Sequence, residues 1–131
     1  MKLFRLINAR AVIAKCAKER LPAQTAYKLV KFLKCTDNDE TFYNEKFRSI
    51  LNQYAKKDED GNFMPSEGGG IALKPETAEA CNKEILELEN TEIDNAATFT
   101  IDEFSGICLS MSDIFAIEEL IIEKESSVYA D

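Results

Sequence analysis

The chain has no histidine and no tryptophan, only three prolines and five glycines, and no long apolar run. Without histidine no side chain has an ordinary pKa near neutrality, and the commonest zinc ligand is missing. Ser-His, Cys-His and His-metal constellations are thereby excluded. The stretch MKLFRLINARAVIAKCAK is broken by Arg5, Arg10 and Lys15, so it holds no signal-peptide core. No segment approaches the roughly 20 apolar residues that cross a bilayer, and no membrane association is expected. The four cysteines, Cys16, Cys35, Cys81 and Cys108, never stand as Cys-x-x-Cys. Their spacing reads as reduced thiols of an intracellular protein and not as a disulfide framework.

What is present fits an ordinary globular composition. In 131 residues, 45% are hydrophobic and 31% charged, enough for one domain with a real core. The expectation is a single domain over residues 1–125, with a mobile loop at 66–70 and a frayed tail at 126–131. Charge is unevenly spread. Residues 1–35 hold nine Lys or Arg against Glu19 alone, a net +8. Residues 36–131 hold seven against twenty-three acids, a net −16, and the two together give the chain's −8. Such segregation can steer a charged partner or drive self-association, unless the two parts neutralise one another within one fold.

Apolar spacing predicts an α+β protein, mostly helical: a hairpin or bundle of four to five helices with a small antiparallel β element. Residues 2–7 open as a strand or a helix lead-in, Asn8 is a candidate N-cap, and Pro22 ends the first helix. A second helix over Ala23–Lys34 carries Ala26, Leu29, Val30 and Leu33 on one stripe. Thr36 and Asp39 resemble a capping box before a third helix, Glu40–Lys56. There Tyr43, Phe47, Ile50, Leu51 and Tyr54 share a side. The two helices form an antiparallel hairpin or one bent rod. Asp60-Gly61 signals a turn, and Phe63-Met64 with Ile71–Leu73 suggests a small hairpin. Pro75 opens a fourth helix whose stripe is Ala78, Cys81, Ile85 and Leu88. After Asn90 the period shortens towards two, as in half-buried strands. Ser110 and Asp113 form a second capping box before a last helix with Met111, Ile114, Phe115, Ile117 and Ile121 facing inward. No internal repeat is visible.

The chemical motifs are sparse. Asp58, Asp60 and Asn62 suggest a calcium loop, but Gly61 falls at position four where an EF-hand needs position six. Lys74 precedes Pro75 and not Ser or Thr, so SEGGGIALK lacks the phosphate-loop spacing. No catalytic residue, metal ligand or cofactor is expected, and the chain is read as a non-enzyme. The candidate ligand-binding residues are Lys28, Lys31 and Arg48 for phosphates, with Tyr27 or Tyr43 for stacking. The lysine row Lys28, Lys31, Lys34 can equally be a solvated face or pair with the acidic part.

Four segments carry a resemblance: AYKLVKFLK, the aromatic helix ending YAKKDEDGN, PETAEACNKEILELENTEI, and EFSGICLSMSDIFAIEELI. In this order the chain resembles a family of small uncharacterised bacteriophage and prophage proteins. The resemblance spans most of the chain, which departs from the pattern at CTDNDE and at its three-glycine loop. It implies a viral gene product acting in the bacterial host cytoplasm, and it transfers no catalytic or binding residue. The expected role is a phage accessory protein that binds a protein partner, a virion component or a host or defence protein, with homo-oligomers among the arrangements the charge favours. The alternatives are a sponge for a nucleotide immune signal and an acidic nucleic-acid mimic that inhibits an enzyme.

Overall fold

The computed structural model describes residues 1–94 and 97–122; the tail expected to fray lies outside them. Helix α1 (Leu3–Cys16) forms the centre. Leu3, Leu6, Ala9, Val12, Ile13 and Cys16 recur at helical spacing and are all buried. The helix starts earlier than Asn8, which lies inside it, and Lys2 holds the N-cap position. It ends six residues before Pro22, which instead precedes α2 (Ala23–Cys35).

Helix α3 (Asp37–Tyr54) follows after the single non-helical residue Thr36, with φ −106° and ψ 6°. Thr36 does not cap α3. Its hydroxyl donates back to the Phe32 carbonyl at 2.7 Å, so the expected capping box is absent. The second and third helices are thus a rod bent at Thr36, and α3 packs on α4 (Ala78–Glu89), entered through a 3-10 turn at Pro75–Thr77. Proline at the first helical position costs nothing there, because that amide has no intrahelical acceptor.

The β element differs from expectation. Strands β1 (Phe99–Thr100) and β2 (Ile121–Ile122) pair in parallel, Phe99 with Ile121 and Thr100 with Ile122. Between them the chain passes through a 3-10 turn, helix α5 (Met111–Ile117) and a second 3-10 turn. A strand that returns after a helical crossover arrives running the same way, which a hairpin reading of the period-two segments cannot anticipate. The Ser110–Asp113 capping box is present, and a further one joins Thr100 to Glu103. The inward face of α5 is corrected as well. Ile117 and Leu120 are buried, while Met111 and Phe115 point to solvent. At about 100° per residue, Phe115 and Met111 lie about 160° and 120° around α5 from Ile117, so neither shares its buried face.

Residues 54–77 hold a repeat that the sequence hides. Three eight-residue units, YAKKDEDG, NFMPSEGG and GIALKPET, follow one another. Equivalent amides bond in a closed cycle: Lys56 N–H to Ala72 O, Ala72 N–H to Met64 O, and Met64 N–H to Lys56 O. A second set runs from Asp58 to Asn62 O, Ser66 to Gly70 O and Lys74 to Tyr54 O. A third closes the turns, from Gly61 to Asp58 O, Gly69 to Ser66 O and Thr77 to Lys74 O. The antiparallel pairs Ala55–Leu73, Lys57–Phe63 and Pro65–Ile71 are related by the same pseudo-threefold, and the last belongs to the hairpin anticipated around Phe63 and Ile71.

Candidate functional site

Charge is the first thing the fold resolves. Between described residues, every ion pair joins a cation from residues 1–28 to an acid beyond residue 36. Arg5 reaches Glu118 at 3.2 Å and Glu119 at 3.8 Å, and also donates to the Phe115 carbonyl at 2.9 Å. Lys15 meets Asp113 at 2.9 Å. The terminal ammonium meets Glu92 at 3.2 Å. Four of the nine basic side chains of residues 1–35, Arg5, Arg10, Lys15 and Lys28, are thus paired with the acidic part within the molecule.

Arg10 is the most tightly held of these cations. It is buried, and its Nε donates to Glu40 at 2.6 Å while Nη1 donates to the Leu33 carbonyl at 2.6 Å and to the Thr36 hydroxyl. One guanidinium thus fixes α1 to the bend between α2 and α3, and satisfies a carbonyl that the end of α2 would leave open. No helical pattern in the sequence singles out Arg10, because its neighbours Ala9 and Val12 read simply as core.

The five candidate ligand-binding residues do not gather. Lys28 and Lys31 line one cleft of about 520 Å³ between α2 and Asp94, Ala97, Thr98 and Phe99, beside Phe32 and Asp39. Lys28 is already engaged, donating to both Glu103 oxygens at 2.9 and 3.1 Å with its ammonium 4.8 Å from the Phe99 ring centre. Lys31 is exposed and forms no ion pair with a described residue. Arg48 lies on a different groove, with Phe47, Leu51, Phe63 and Ile71. Tyr27 is exposed on α2, remote from any ring partner among the described residues. Tyr43 is stacked on Phe47 at 5.9 Å and 20°, and burial, then the Glu89 carboxylate, pushes its phenol above the ordinary range. It is half-buried, with one face already stacked on Phe47. Sequence spacing grouped these residues because it cannot tell a shared helix face from a shared cavity.

A second cavity, of about 230 Å³, lies between α3 and α4. Ile50 and Leu88, both buried, form its apolar base, and Phe42, Lys46, Glu84 and Glu87 also line it. Glu84 is half-buried, with its Oε2 enclosed and the Tyr54 phenol against its carboxylate. The Tyr54 phenol is pushed up chiefly by its hydrogen bond to Glu84. The Glu84 and Glu87 pair stands one turn apart on α4, a helix with four Glu and one Lys. Sequence patterning gave no signal for it, since both acids read as solvated face.

Two of the four free cysteines, Cys16 and Cys81, are buried, and burial raises both thiols above the ordinary value. That makes them poor nucleophiles. Cys35 and Cys108 are exposed. Among the described residues no cluster of three or more potential metal-ligating side chains occurs, and no helix is long and apolar enough to cross a membrane. No family model, curated protein or solved structure matches the chain.

Proposed function

We propose that this chain is a phage accessory protein of the bacterial host cytoplasm that binds a protein partner and performs no catalysis. The observation that supports it is the pair Met111 and Phe115, one turn apart on α5 and 78% and 56% exposed. Large apolar side chains side by side on a helix, with its opposite face packed on α1, are the signature of a surface that another protein covers. Arg5 holds this helix firmly through the Phe115 carbonyl and Glu118, so the pair is presented without a large ordering cost. The phage setting rests on the family resemblance of the four sequence segments. Because the ion pairs consume much of the basic front internally, charge-driven self-association is the weaker version of the partner reading.

The test is capture from phage-infected cells, read by mass spectrometry, with the native chain and with Met111→Asp/Phe115→Asp. A protein held by the native chain and lost from the double variant supports the reading. Equal retention by both overturns it, as does turnover of a substrate that one substitution abolishes.

A second reading, capture of a nucleotide signal, draws on Lys28 and Lys31 sharing one cleft. Its phosphates would meet Lys31 but also the carboxylates of Asp39 and Asp94, an opposition that makes it the lesser reading. Thermal shift with cyclic and linear nucleotides decides it, and no stabilisation by any of them ends it.

A further inference from the structure

We propose that the groove between α3 and the three-unit loop receives an acidic segment of the partner protein, an apolar side chain flanked by carboxylates. The proposal rests on the protein-binding reading above and adds the partner's chemistry. Two elements supply the walls. Phe47 and Leu51 stand one turn apart on α3, and Phe63 and Ile71 line the same groove from the loop. All four are half-buried, so each leaves apolar surface open to a space of about 650 Å³. Phe63 and Ile71 hold the same second position in their units, whereas the third such residue, Ala55, is buried. The cycle of backbone hydrogen bonds therefore fixes two large apolar side chains on one groove with α3. Water in that space meets apolar surface from both walls, and an apolar side chain that displaces it gains.

Charge decides what accompanies that side chain. Residues 44–57 carry Lys46, Arg48, Lys56 and Lys57 against Glu45 alone, a net +3 inside a chain of −8. All four cations are exposed. Every ion pair between described residues draws its cation from residues 1–28, so none of the four is paired in that way. Arg48 lines the groove itself, and the Lys57 ammonium lies 5.7 Å from the centre of the Phe63 ring. Two cations thus border the apolar walls, with Glu45 the one acid among the described lining residues. The acids that follow, Asp58 to Asp60, belong to the first turn of the loop, where Asp58 accepts from the amides of Asp60 and Asn62. A carboxylate seated beside Phe63 would meet the planar donor fork of Arg48 and the Lys57 ammonium. A basic segment would be repelled here, and a wholly apolar one would leave both cations without a partner. An apolar anchor with carboxylates beside it uses walls and rim together.

The probe is the peptide acetyl-Asp-Leu-Phe-Glu-amide, titrated into the isotopically labelled full chain at physiological ionic strength. Its uncharged isostere, acetyl-Asn-Leu-Phe-Gln-amide, and a thymidine octanucleotide are titrated beside it. Amide shifts at residues 44–51 and around Phe63 and Ile71 are expected with the acidic peptide, and weaker ones with the isostere. Phe63→Ala should weaken that binding by about tenfold, and Arg48→Gln by about threefold to tenfold. Arg48 is exposed, so its variant keeps the test valid if Phe63→Ala disturbs the loop. Equal shifts from the uncharged peptide, no shifts at these residues, or indifference to both variants would overturn the proposal. Tighter binding of the oligonucleotide at the same residues would overturn it too, in favour of nucleic acid. Failure here leaves capture through Met111 and Phe115 intact. Loss of all capture with peptide binding preserved would sink the protein-binding reading instead.

Discussion

Helix α1 and the three-unit loop of residues 54–77 are held in place by opposite means. Seven of the fourteen residues of α1 are buried, and its cations Arg5, Arg10 and Lys15 each reach an acid far along the chain. In the loop Ala55 alone is buried, and order comes from nine backbone hydrogen bonds arranged in a cycle. Buried apolar area stabilises in proportion to its extent, about 25 cal/mol per Å². A backbone hydrogen bond exposed to water contributes about 1 kcal/mol or less, net. The comparison teaches that side chains place the front of this molecule while main-chain geometry places the loop. Truncating side chains should hurt α1, and changing backbone preference should hurt the loop.

The largest effect is expected in the core. Ile13, fully buried, should lose about 2–5 kcal/mol of stability on Ile13→Ala, from lost transfer energy and the cavity left behind. Met64→Ala in the loop, where the side chain is exposed, should change stability by no more than about 0.5 kcal/mol. Urea denaturation of both variants measures the contrast, and equal losses would erase it. Arg10→Met comes next, at about 1–3 kcal/mol, because the Leu33 carbonyl and the Glu40 carboxylate lose a charged donor. A double-mutant cycle with Glu40→Gln separates the Glu40 share from the rest.

The same contrast explains what the sequence disclosed. The stripes Leu29 with Leu33, Cys81 with Leu88, and Val12 with Ile13 and Cys16 were readable because burial follows a 3.6-residue period. The helical class and the Ser110–Asp113 cap were legible for that reason. The loop was not, because its units share little beyond an apolar second position (Ala55, Phe63, Ile71) and the turn glycines Gly61 and Gly69. Backbone pairing leaves almost no trace in side-chain chemistry. The parallel β1–β2 pair was hidden for a related reason: two residues per strand carry no register, and topology depends on the intervening path. Of the candidate residues, Lys28 and Lys31 line one cleft, while Arg48, Tyr27 and Tyr43 were grouped by chemistry and lie apart in the fold. Glu84 was invisible because its role depends on which helix covers it.

The loop can be broken through its turns. Gly61 and Gly69 hold equivalent places in the first two units, with φ of 83° and 88°. An added Cβ would meet nothing within 4 Å at either position, so the cost of Gly→Ala there is conformational alone. Each should destabilise by about 1–2 kcal/mol, as an L-residue must be forced into left-handed geometry. The pseudo-threefold makes a sharper claim: the two losses should be equal within error. Urea denaturation comparing Gly61→Ala with Gly69→Ala tests it. A large loss at one turn and none at the other would mean that the cycle is not a unit.

The smallest effect concerns the ion pair that ties α1 to α5. Its hydrogen bond to Lys15, followed by the Ser110 amide, holds Asp113 below its ordinary 3.8, while the bond to Asp113 holds Lys15 above its ordinary 10.5. A carboxylate depressed in the folded state stabilises fully above its unfolded value, and that contribution drains away as pH falls through the folded value. An ammonium raised in the folded state does the reverse, keeping its contribution below 10.5 and losing it as pH rises beyond. Lys15→Met should therefore flatten both flanks of the stability curve, below pH 3.8 and above pH 10.5, while leaving Asp113 its Ser110 bonds. Because Lys15 is 60% exposed, the difference should shrink in high salt, unlike that of the enclosed Arg10. If Lys15→Met and Arg10→Met respond alike to salt, the ion pairs of α1 form one exposed layer, and the front of the molecule is held by its apolar stripe alone.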